Sequence, residues 1–302
     1  MSIRYLRTLI AVADHGSFTA AAGAVFVTHA AVSQQMKALE ADWGVALFDR
    51  SRRSRHLTPT GRALVARARD VVAAYDGMAS AIDDEIGFHG ELVLGAVPTT
   101  LTGMVPFALA LLKAGHPGLR VRVVPGLSTD LAGQVGRGAL DGAILTRMAL
   151  VPRQHVFTEF AREEMELLAS PETESDDPIE LLRSNPYIRF SLQAVVGTMI
   201  EAWMQDQRIE VSETMEIPNL EVISSMVYAN LGVSIVPRQA VAAPNQLPLK
   251  RIPLSPAPKA RVIGLLRRRD SLKQPVLDAL LGCLQAAVRI GRFDQGAIDK
   301  GA

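Results

Sequence analysis

Two short helical patterns lie close together in residues 17–50, separated only by the turn at residues 25–27. The first pattern is rich in alanine, so its thin layer of side chains allows close helix packing. The second opens at Thr28, whose hydroxyl can accept a hydrogen bond from an amide in the first turn of the helix that follows. A thin helix, a tight turn and a second helix form the helix-turn-helix plan, in which the second helix enters the DNA major groove. This stretch therefore predicts a DNA-binding head.

Residues 49–57 follow the motif and predict a short basic hairpin, or wing. Residues 1–69 contain ten Lys or Arg against four Asp or Glu, a net charge of +6, whereas the remainder contains 22 against 27, a net charge of −5. A basic head on a mildly acidic body is typical of a phosphate-binding module attached to a part with another task.

A long helical pattern then runs from about residue 61 to residue 86, after a cap at Thr58 and a first-turn proline at Pro59. Its apolar residues recur at alternating spacings of four and three, a 3.5-residue period typical of coiled coils. The pattern predicts a self-pairing helix, although packing on a neighbouring domain would also explain it. The apolar positions are Leu64, Ala68, Val71, Tyr75, Met78 and Ile82.

From Glu91 onward, apolar runs of strand length alternate with helical stretches. Such alternation implies parallel βαβ units. We read the charged clusters at residues 163–166 and 176–177 as solvated surface, and we expect little structure in the tail after Gly291. The predicted strands are 92–97, 119–124, 142–145, 165–168, 187–190, 233–236 and 261–266, and the predicted helices are 105–114, 129–137, 196–206, 222–229 and 275–290.

At 302 residues, of which 48% are hydrophobic, the chain has room for about two domains with sizeable cores. It contains no apolar run of about 18 residues and no secretory signal, so we expect a cytoplasmic protein with no membrane partner. Cys283 is the only cysteine, which excludes an internal disulfide and a cysteine-based metal site. We expect no cofactor and no metal.

Many residues of the head fall in one register that resembles the LysR-type transcriptional regulators, and the body adds further matching positions. In the head these are Ser17-Phe18-Thr19, Ala21-Ala22, Ala31-Val32-Ser33-Gln34-Gln35-Met36, Leu39-Glu40, Gly44-Val45, Leu47-Phe48-Asp49-Arg50, Leu57-Thr58 and Gly61. In the body they are Gly126, Ser128, Leu131, Gly138, Leu140-Asp141, Gly232-Val233 and Pro237.

The resemblance implies an N-terminal all-α winged helix-turn-helix domain with a long linker helix, followed by an α/β effector domain of two subdomains that resembles periplasmic binding proteins. It places the DNA-binding domain at residues 1–60, the dimerisation helix at 61–88 and the effector domain at 89–302. Within the last, subdomain I covers about 89–162 and 267–302, and subdomain II covers about 163–266.

The implied function is that of a sequence-specific regulator whose DNA contacts respond to a small molecule bound between the subdomains, and the residues that follow the first predicted strand favour a carboxylate for it. The implied partners are a double-stranded operator, the effector and RNA polymerase. The implied assembly is a homodimer through the linker helix and a homotetramer of two such dimers.

The candidate DNA-binding residues lie at the start of the second motif helix and in the wing. At the N-terminal end of such a helix, Gln can pair with adenine and Ser with several bases, while wing arginines supply sequence-independent contacts to phosphates. The alternative for each is a solvated surface, and Arg50 could instead pair with Asp49 or Glu40. His29 departs from the glutamine common in the family. The candidates are Thr28, His29, Ala30, Ser33, Gln34, Lys37, Arg50, Arg52, Arg53 and Arg55.

The candidate effector residues start at the carboxyl end of the first predicted strand, where Pro98 and two threonines open a helix. Free amides and two hydroxyls at such a place favour an anion, although the threonines could also serve as helix caps. The fold resemblance adds residues at other strand ends, among them Arg147, which could neutralise an acid or lie on the surface. The candidates are Thr99, Thr100, Leu101, Leu127, Ser128, Thr146, Arg147, Ser191, Val196 and Asn219.

The sequence contains no dinucleotide-binding or Walker loop and no HExxH pattern, so we expect no enzymatic activity. Two alternatives to a ligand-controlled regulator stay open. One is an effector-independent architectural DNA-binding protein whose α/β body only oligomerises. The other is a solute-binding or enzymatic α/β protein whose basic head has no DNA-binding role.

Overall fold

In the computed structural model, residues 2–49, 56–78, 88 and 90–299 are described. The head comprises α1 (Ile3–His15), α2 (Phe18–Ala24) and α3 (His29–Trp43), followed by the antiparallel pair β1 (Phe48–Asp49) and β2 (His56–Leu57). The predicted cap at Thr28 is confirmed, since its hydroxyl accepts from the Ala31 amide at 3.2 Å. At the start of α2, the Ser17 hydroxyl accepts from the Ala20 amide at 3.1 Å.

Helix α4 (Pro59–Met78) starts at Thr58, whose hydroxyl accepts a hydrogen bond from the Gly61 amide at 2.9 Å. Its first half belongs to the core of the head, where Ala68 is buried and Leu64 is partly buried. Val71 and Tyr75 are each 49% exposed. The predicted 3.5-residue pattern therefore divides into an intrachain part and an exposed part, and Ile82 lies outside the described residues.

The body continues in chain order with alternating strands and helices. They are β3 (Gly90–Ala96), α5 (Met104–Gly115), β4 (Leu119–Pro125), α6 (Ser128–Gly136), β5 (Gly142–Thr146), β6 (His155–Glu163), β7 (Met165–Ala169), α7 (Pro178–Ser184), β8 (Pro186–Phe190), α8 (Val195–Asp206), β9 (Ser212–Ile217), α9 (Leu220–Tyr228), β10 (Ser234–Pro237), β11 (Lys250–Pro253), β12 (Arg261–Arg268), α10 (Gln274–Ile290) and α11 (Gln295–Asp299).

The first subdomain is built on a five-stranded sheet in the order β4-β3-β5-β12-β6. Strand β3 runs parallel to β4 and β5, which confirms the predicted βαβ units, whereas β12 is antiparallel to β5 and β6. The second subdomain contains the sheet β10-β7-β11 and the parallel pair β8-β9. Helices α5 and α10 pack together in the core of the first subdomain.

The structure corrects the approximate boundary between the subdomains. Strand β12 lies wholly in the first sheet, so a boundary at residue 266 would divide a hydrogen-bonded strand, and the crossing lies near residue 260 instead. A second segment also returns, since Val241 is buried in the first subdomain's core and the Ala242 amide donates to the Gly291 carbonyl at 2.9 Å. Strand pairing of this kind depends on contacts distant in sequence, which local patterns do not contain.

The tail after Gly291 is more ordered than expected, because α11 packs against the first subdomain and the Phe293 ring lies 5.2 Å from that of Phe107. In the described ranges, none of the helices is long and apolar enough to cross a membrane.

Candidate DNA-binding surface and effector cleft

The start of α3 presents the predicted reading residues on one side. His29, Ala30, Gln34 and Lys37 are exposed and Ser33 is partly buried, while Val32, Met36 and Leu39 are buried on the opposite side. The structure therefore brings these candidates together on one face. The face is held in place because the buried side packs against α1 and α2.

Two candidates also make contacts within the head. The hydroxyl of Thr28 is used as the cap of α3, so its oxygen already accepts one hydrogen bond. The ring of His29 lies 6.1 Å from the Phe18 ring at a tilt of 48°.

The wing enters and leaves through β1 and β2, where Phe48 pairs with Leu57. The carboxylate of Glu40 anchors the entry, since its Oε1 accepts hydrogen bonds from the Leu47 amide at 2.8 Å and the Phe48 amide at 3.3 Å. Arg62, at the start of α4, is exposed and donates to the Leu57 carbonyl at 2.7 Å, next to the wing. The candidates Arg50, Arg52, Arg53 and Arg55 lie outside the described residues.

Sequence reasoning overlooked Phe26 in the turn between α2 and α3. Its ring is 94% exposed and its backbone is left-handed, with φ 55°. A non-glycine residue with positive φ is uncommon and is unusual for a bulky side chain. An aromatic residue in a helix-turn-helix turn was the signal that could have identified it.

In the first subdomain, the segment after β3 differs from the predicted helix start. Residues Pro98–Thr100 form one 3₁₀ turn, and α5 begins only at Met104. The Thr100 amide and hydroxyl both bond the Val97 carbonyl, at 3.0 and 2.8 Å, and the Leu101 amide bonds the Pro98 carbonyl at 3.0 Å. These amides are therefore used within the turn.

The turn after β3 contacts Arg261, which is 1% exposed and is the first residue of β12. Its Nε donates to Thr146 Oγ1 at 2.9 Å, and its Nη2 donates to Thr99 Oγ1 at 2.8 Å. The Ser128 hydroxyl accepts from the Thr146 amide at 3.3 Å. Three predicted effector residues therefore meet around a buried guanidinium that sequence reasoning did not include.

Glu163 is the counter-ion of Arg261, with its Oε2 3.3 Å from the Arg261 Nη1. The carboxylate is 2% exposed, and its Oε1 accepts from the Ala240 amide at 2.8 Å. Burial raises the pKa of Glu163 and lowers the pKa of Arg261, because an isolated charge is disfavoured away from water, and attraction between the two opposes both shifts.

This pair corrects the interpretation of residues 163–166 as solvated surface. Glu163 is buried against Arg261, and Glu166, 6% exposed, forms an ion pair with Arg251. The cluster spans the end of β6 and the start of β7, where the chain passes between subdomains. An arginine at the head of the apolar run 262–266 was the available signal that a buried partner was needed.

The remaining candidates are placed more separately. Ser191 donates to Glu216 at 2.7 Å, and the Asn219 side chain accepts from the amides of Glu221 and Val222 as the cap of α9. Arg147 is 56% exposed and lies 3.6 Å from Glu159, with its guanidinium 5.5 Å above the Phe157 ring. Leu127 precedes α6 and is partly buried, as is Leu101, whereas Val196 is buried in α8.

The two subdomains touch beside the Arg261 cluster. The Thr102 hydroxyl donates to Glu221 at 2.9 Å, and the Gln239 side chain donates to the Thr99 carbonyl at 2.8 Å. Both contacts join the segment after β3 to the second subdomain. Together with the bond from Arg261 to Thr99, they place the Thr99 region at the contact between the two subdomains.

Among the described residues, no three His, Cys, Asp or Glu side chains are grouped so that they could hold a metal ion.

Comparison with known proteins gives two family matches. Residues 3–62 match the bacterial regulatory helix-turn-helix protein, lysR family, and residues 86–289 match the LysR substrate binding domain. The HTH-type transcriptional regulator SoxR of Arthrobacter sp. is 26% identical over 242 residues, which cover 80% of this chain and 82% of that protein.

Solved structures show the same fold over nearly the whole chain. A full-length OxyR variant from Pseudomonas aeruginosa has a TM-score of 0.69 at 23% identity, covering 95% of each chain. Full-length CbnR in complex with its target DNA has a TM-score of 0.61 at 21% identity, covering 95% of this chain and all (100%) of that one.

Proposed function

Since the chain belongs to the LysR-type family of transcriptional regulators, we propose that it reads a specific operator and that a small carboxylate bound between its subdomains alters that binding. Membership makes it a DNA-binding regulator rather than an enzyme.

The single observation that carries the proposal is the exposed start of α3. His29, Ser33, Gln34 and Lys37 share one side of a helix whose other side is fixed in the head core. Side chains at the start of a recognition helix reach base edges, and the exposed Lys37 would contact a phosphate. The proposed wing contacts of Arg50, Arg52, Arg53 and Arg55 would add affinity that falls steeply with salt.

The effector proposal is supported by the polar groups buried beside the subdomain contact. Thr99, Ser128 and Thr146 are each at most 6% exposed, and apolar surroundings with a few convergent polar groups are typical of small-molecule sites. Contacts between the subdomains at Thr102 and Gln239 offer a route by which occupancy changes their relative angle.

The proposed assembly is a homodimer through α4 and a homotetramer of two such dimers. Val71 and Tyr75, half-exposed and one turn apart, supply apolar surface for a second copy of the helix. In a dimer a two-fold axis relates the two α3 helices, so the operator should be an imperfect palindrome. We further propose a cytoplasmic location and contact with RNA polymerase at the promoter.

Footprinting of the full-length protein on the DNA upstream of its own gene, with excess competitor DNA, tests the proposal. We expect a protected palindrome, lost in Gln34→Ala and kept in Gln205→Ala, a glutamine-to-alanine control on α8. The footprint should change in length or position when a stabilising carboxylate is added.

Two outcomes would contradict the proposal. A footprint that no small molecule alters, with no thermal shift by any of them, favours the architectural alternative. If no site is protected in the presence of excess competitor DNA, the result favours a solute-binding protein whose basic head has no specific DNA-binding role.

A further inference from the structure

A second cavity lies where the head rests on the first subdomain, separate from the cleft between the subdomains. Its volume is about 450 Å³, within the range typical of small-molecule sites. We call it the junction cavity. The end of α1, the β1–β2 pair and the first turns of α4 line it from the head, and the end of α6 with the turn that follows lines it from the body. None of the described residues that line it is a candidate effector residue.

The junction cavity carries more positive than negative charge. Asp14, the one acid among its described lining residues, forms an ion pair with Arg69. Arg62 of the head donates one N–H to a backbone carbonyl of β2 at 2.7 Å, and Arg137 of the body makes no side-chain hydrogen bond or ion pair within the described residues. Both guanidinium groups therefore keep N–H donors for another acceptor. Residues 50–55, which lie between β1 and β2 in sequence, contain four arginines and no acid that could neutralise them.

Elsewhere, the contact between head and body pairs opposite charges. Arg268 of the body lies 2.5 Å from Asp70 of α4, and Arg67 of α4 lies 2.8 Å from Asp270 of the body. At the junction cavity, by contrast, the head and the body each present an arginine that has no acidic partner among the described residues. Like charges that face each other across an interface destabilise it. The contact therefore lacks an anion at this point.

We propose that the junction cavity binds a small organic phosphate, whose phosphate group bridges Arg62 of the head and Arg137 of the body. Guanidinium groups bind phosphate through paired hydrogen bonds. A phosphate monoester carries a charge of about −1.5 to −2 at neutral pH on three oxygens, so it accepts from two arginines at once. A carboxylate has two coplanar oxygens, which suit a single guanidinium. The organic part of the molecule lies against an apolar wall formed by Val12, Phe48 and Val65.

The bound phosphate holds the head on the first subdomain. It replaces the repulsion between two arginines by hydrogen bonds to both, so it stabilises the arrangement in which Gly138 of the body lies against Ala66 of α4. The protein thereby has a second ligand, whose site includes the DNA-binding head itself and which binds independently of any molecule in the cleft.

Thermal unfolding of the full-length protein tests the proposal. The probes are phenyl phosphate, glycerol 3-phosphate and glucose 6-phosphate, each compared with its parent alcohol at an ionic strength held constant with sodium chloride. We expect at least one ester to raise the unfolding temperature and its alcohol to leave it unchanged. Sulfate should act more weakly, because it lacks the organic part. If no ester of the series stabilises the protein more than sulfate does, the proposal is wrong.

Variants with the stabilising ester test the two arginines. Arg62→Gln and Arg137→Gln should each weaken binding of the ester about tenfold, the loss expected for a hydrogen bond to a charged group. Arg137→Lys keeps the charge without the planar fork and should lose less. Arg183→Gln is the matched control and should bind the ester normally, because Arg183 is an exposed arginine at the end of another short helix, α7, with no ion pair among the described residues. Normal binding by Arg137→Gln would refute the site.

A charge reversal tests the repulsion without any ligand. Arg137→Glu places a carboxylate opposite Arg62, so it should raise the unfolding temperature of the free protein and abolish the effect of the ester. Arg183→Glu carries the same penalty of an acid near a helix C-terminus and should give no such rise. If Arg137→Glu lowers the unfolding temperature as Arg183→Glu does, Arg137 does not face a cation and the proposal fails.

The operator backbone is another source of phosphate close to the wing, and DNA binding measured without ester separates the two sources. Arg137→Gln should bind the operator with the affinity and salt dependence of the original protein. A weaker affinity with a shallower salt slope would assign the cavity to DNA and overturn the small-molecule proposal. Because thermal unfolding requires no DNA, failure to find any operator would contradict only the regulator function.

Discussion

Phe26 is a bulky residue in a conformation that suits glycine or asparagine. Its φ of 55° places the β-carbon close to the following carbonyl, and its ring gains little from burial because it is 94% exposed. A residue under strain without packing in return is a candidate for a contact made only in a complex. Because Phe26 adjoins the recognition helix, its ring would make that contact with DNA or with a partner protein.

Replacing Phe26 with asparagine should stabilise the head by about 1 kcal/mol, because asparagine tolerates the left-handed conformation. The measurement is the urea midpoint followed by Trp43 fluorescence in a Trp203→Phe background, since the chain has only two tryptophans. Phe26→Leu keeps the strain and is the control, with an unchanged midpoint. A lower midpoint for asparagine would show that the ring is packed.

His155 is a second residue whose role can be measured, through the pH dependence of the protein's stability. It is 5% exposed, and neither ring nitrogen has a hydrogen-bond partner within the described residues. Burial lowers its pKa, the Arg268 charge lowers it further, and Asp270 opposes the shift. The folded protein therefore prefers the neutral ring.

A lowered pKa means that the unfolded chain binds more protons than the folded one just below pH 6.5. The stability contributed by neutral His155 is present above the unfolded pKa and is lost as pH falls through the folded pKa. We expect His155→Gln to flatten the decline of the thermal midpoint between about pH 6.5 and pH 5. His15→Gln, at the exposed end of α1, is the control, and parallel curves for His155→Gln and the original protein would contradict the assignment.

At the scale of elements, α4 packs into the core of the head along its first half and presents exposed apolar side chains further along. Val65 and Ala68 are buried in the head, whereas Val71 and Tyr75 leave half of their surface exposed one turn further on. A helix with apolar residues beyond its own core needs another surface to cover them.

Val71→Asp should therefore dissociate the proposed dimer, because a carboxylate in an apolar helix pair would be desolvated without a partner. Light scattering should show the mass falling from that of four chains to that of two chains or fewer. Val222→Asp places the same charge at a valine of similar exposure, 41%, on α9, and should leave the mass unchanged. An unaltered mass for Val71→Asp would exclude α4 as the dimer contact.

The elements also differ in how well the sequence predicts them. Helix α3 follows from Thr28, its apolar spacing and Gly44, whose φ of 65° ends the helix, and all of these are local signals. Strand β6 was not predicted, because most of its residues are only partly buried and because its last two residues are charged, so that it lacks the apolar run typical of a buried strand. Likewise Thr99 and Thr146 were identifiable as strand-end residues. The partners of Arg261 were not, because Thr146 lies 115 residues away in sequence and is brought to Arg261 by strand pairing.

At the scale of the molecule, the head and body are joined by more than the chain. Arg268 in β12 donates to Asp70 in α4 at 2.5 Å, and Arg67 lies 2.8 Å from Asp270. Gly138, with φ 68°, lies against Ala66, so a larger residue there would meet the backbone of α4. Helix α4 therefore packs on the first subdomain, close to the buried His155.

A disulfide tests whether this contact exists in solution. A β-carbon at Gly138 would lie 3.5 Å from the Ala66 β-carbon, within the range of about 3.5–4.5 Å that disulfides require. Ala66→Cys with Gly138→Cys, in a Cys283→Ala background, should oxidise to an intrachain bridge despite the strain of a side chain at positive φ and the displacement of Arg268.

Mass spectrometry of the non-reduced protein identifies the bridge, and Ala66→Cys with Gly115→Cys, a glycine with open space around it, should remain reduced. If ligand binding separates the head from the body, the stabilising carboxylate should slow bridge formation, and the oxidised protein should keep one footprint with or without that carboxylate. Failure of the 66–138 pair to oxidise would mean that α4 does not rest on the first subdomain. Bridging between two chains would move the contact from within the protomer to the interface between copies, because the same two β-carbons would then meet across the assembly.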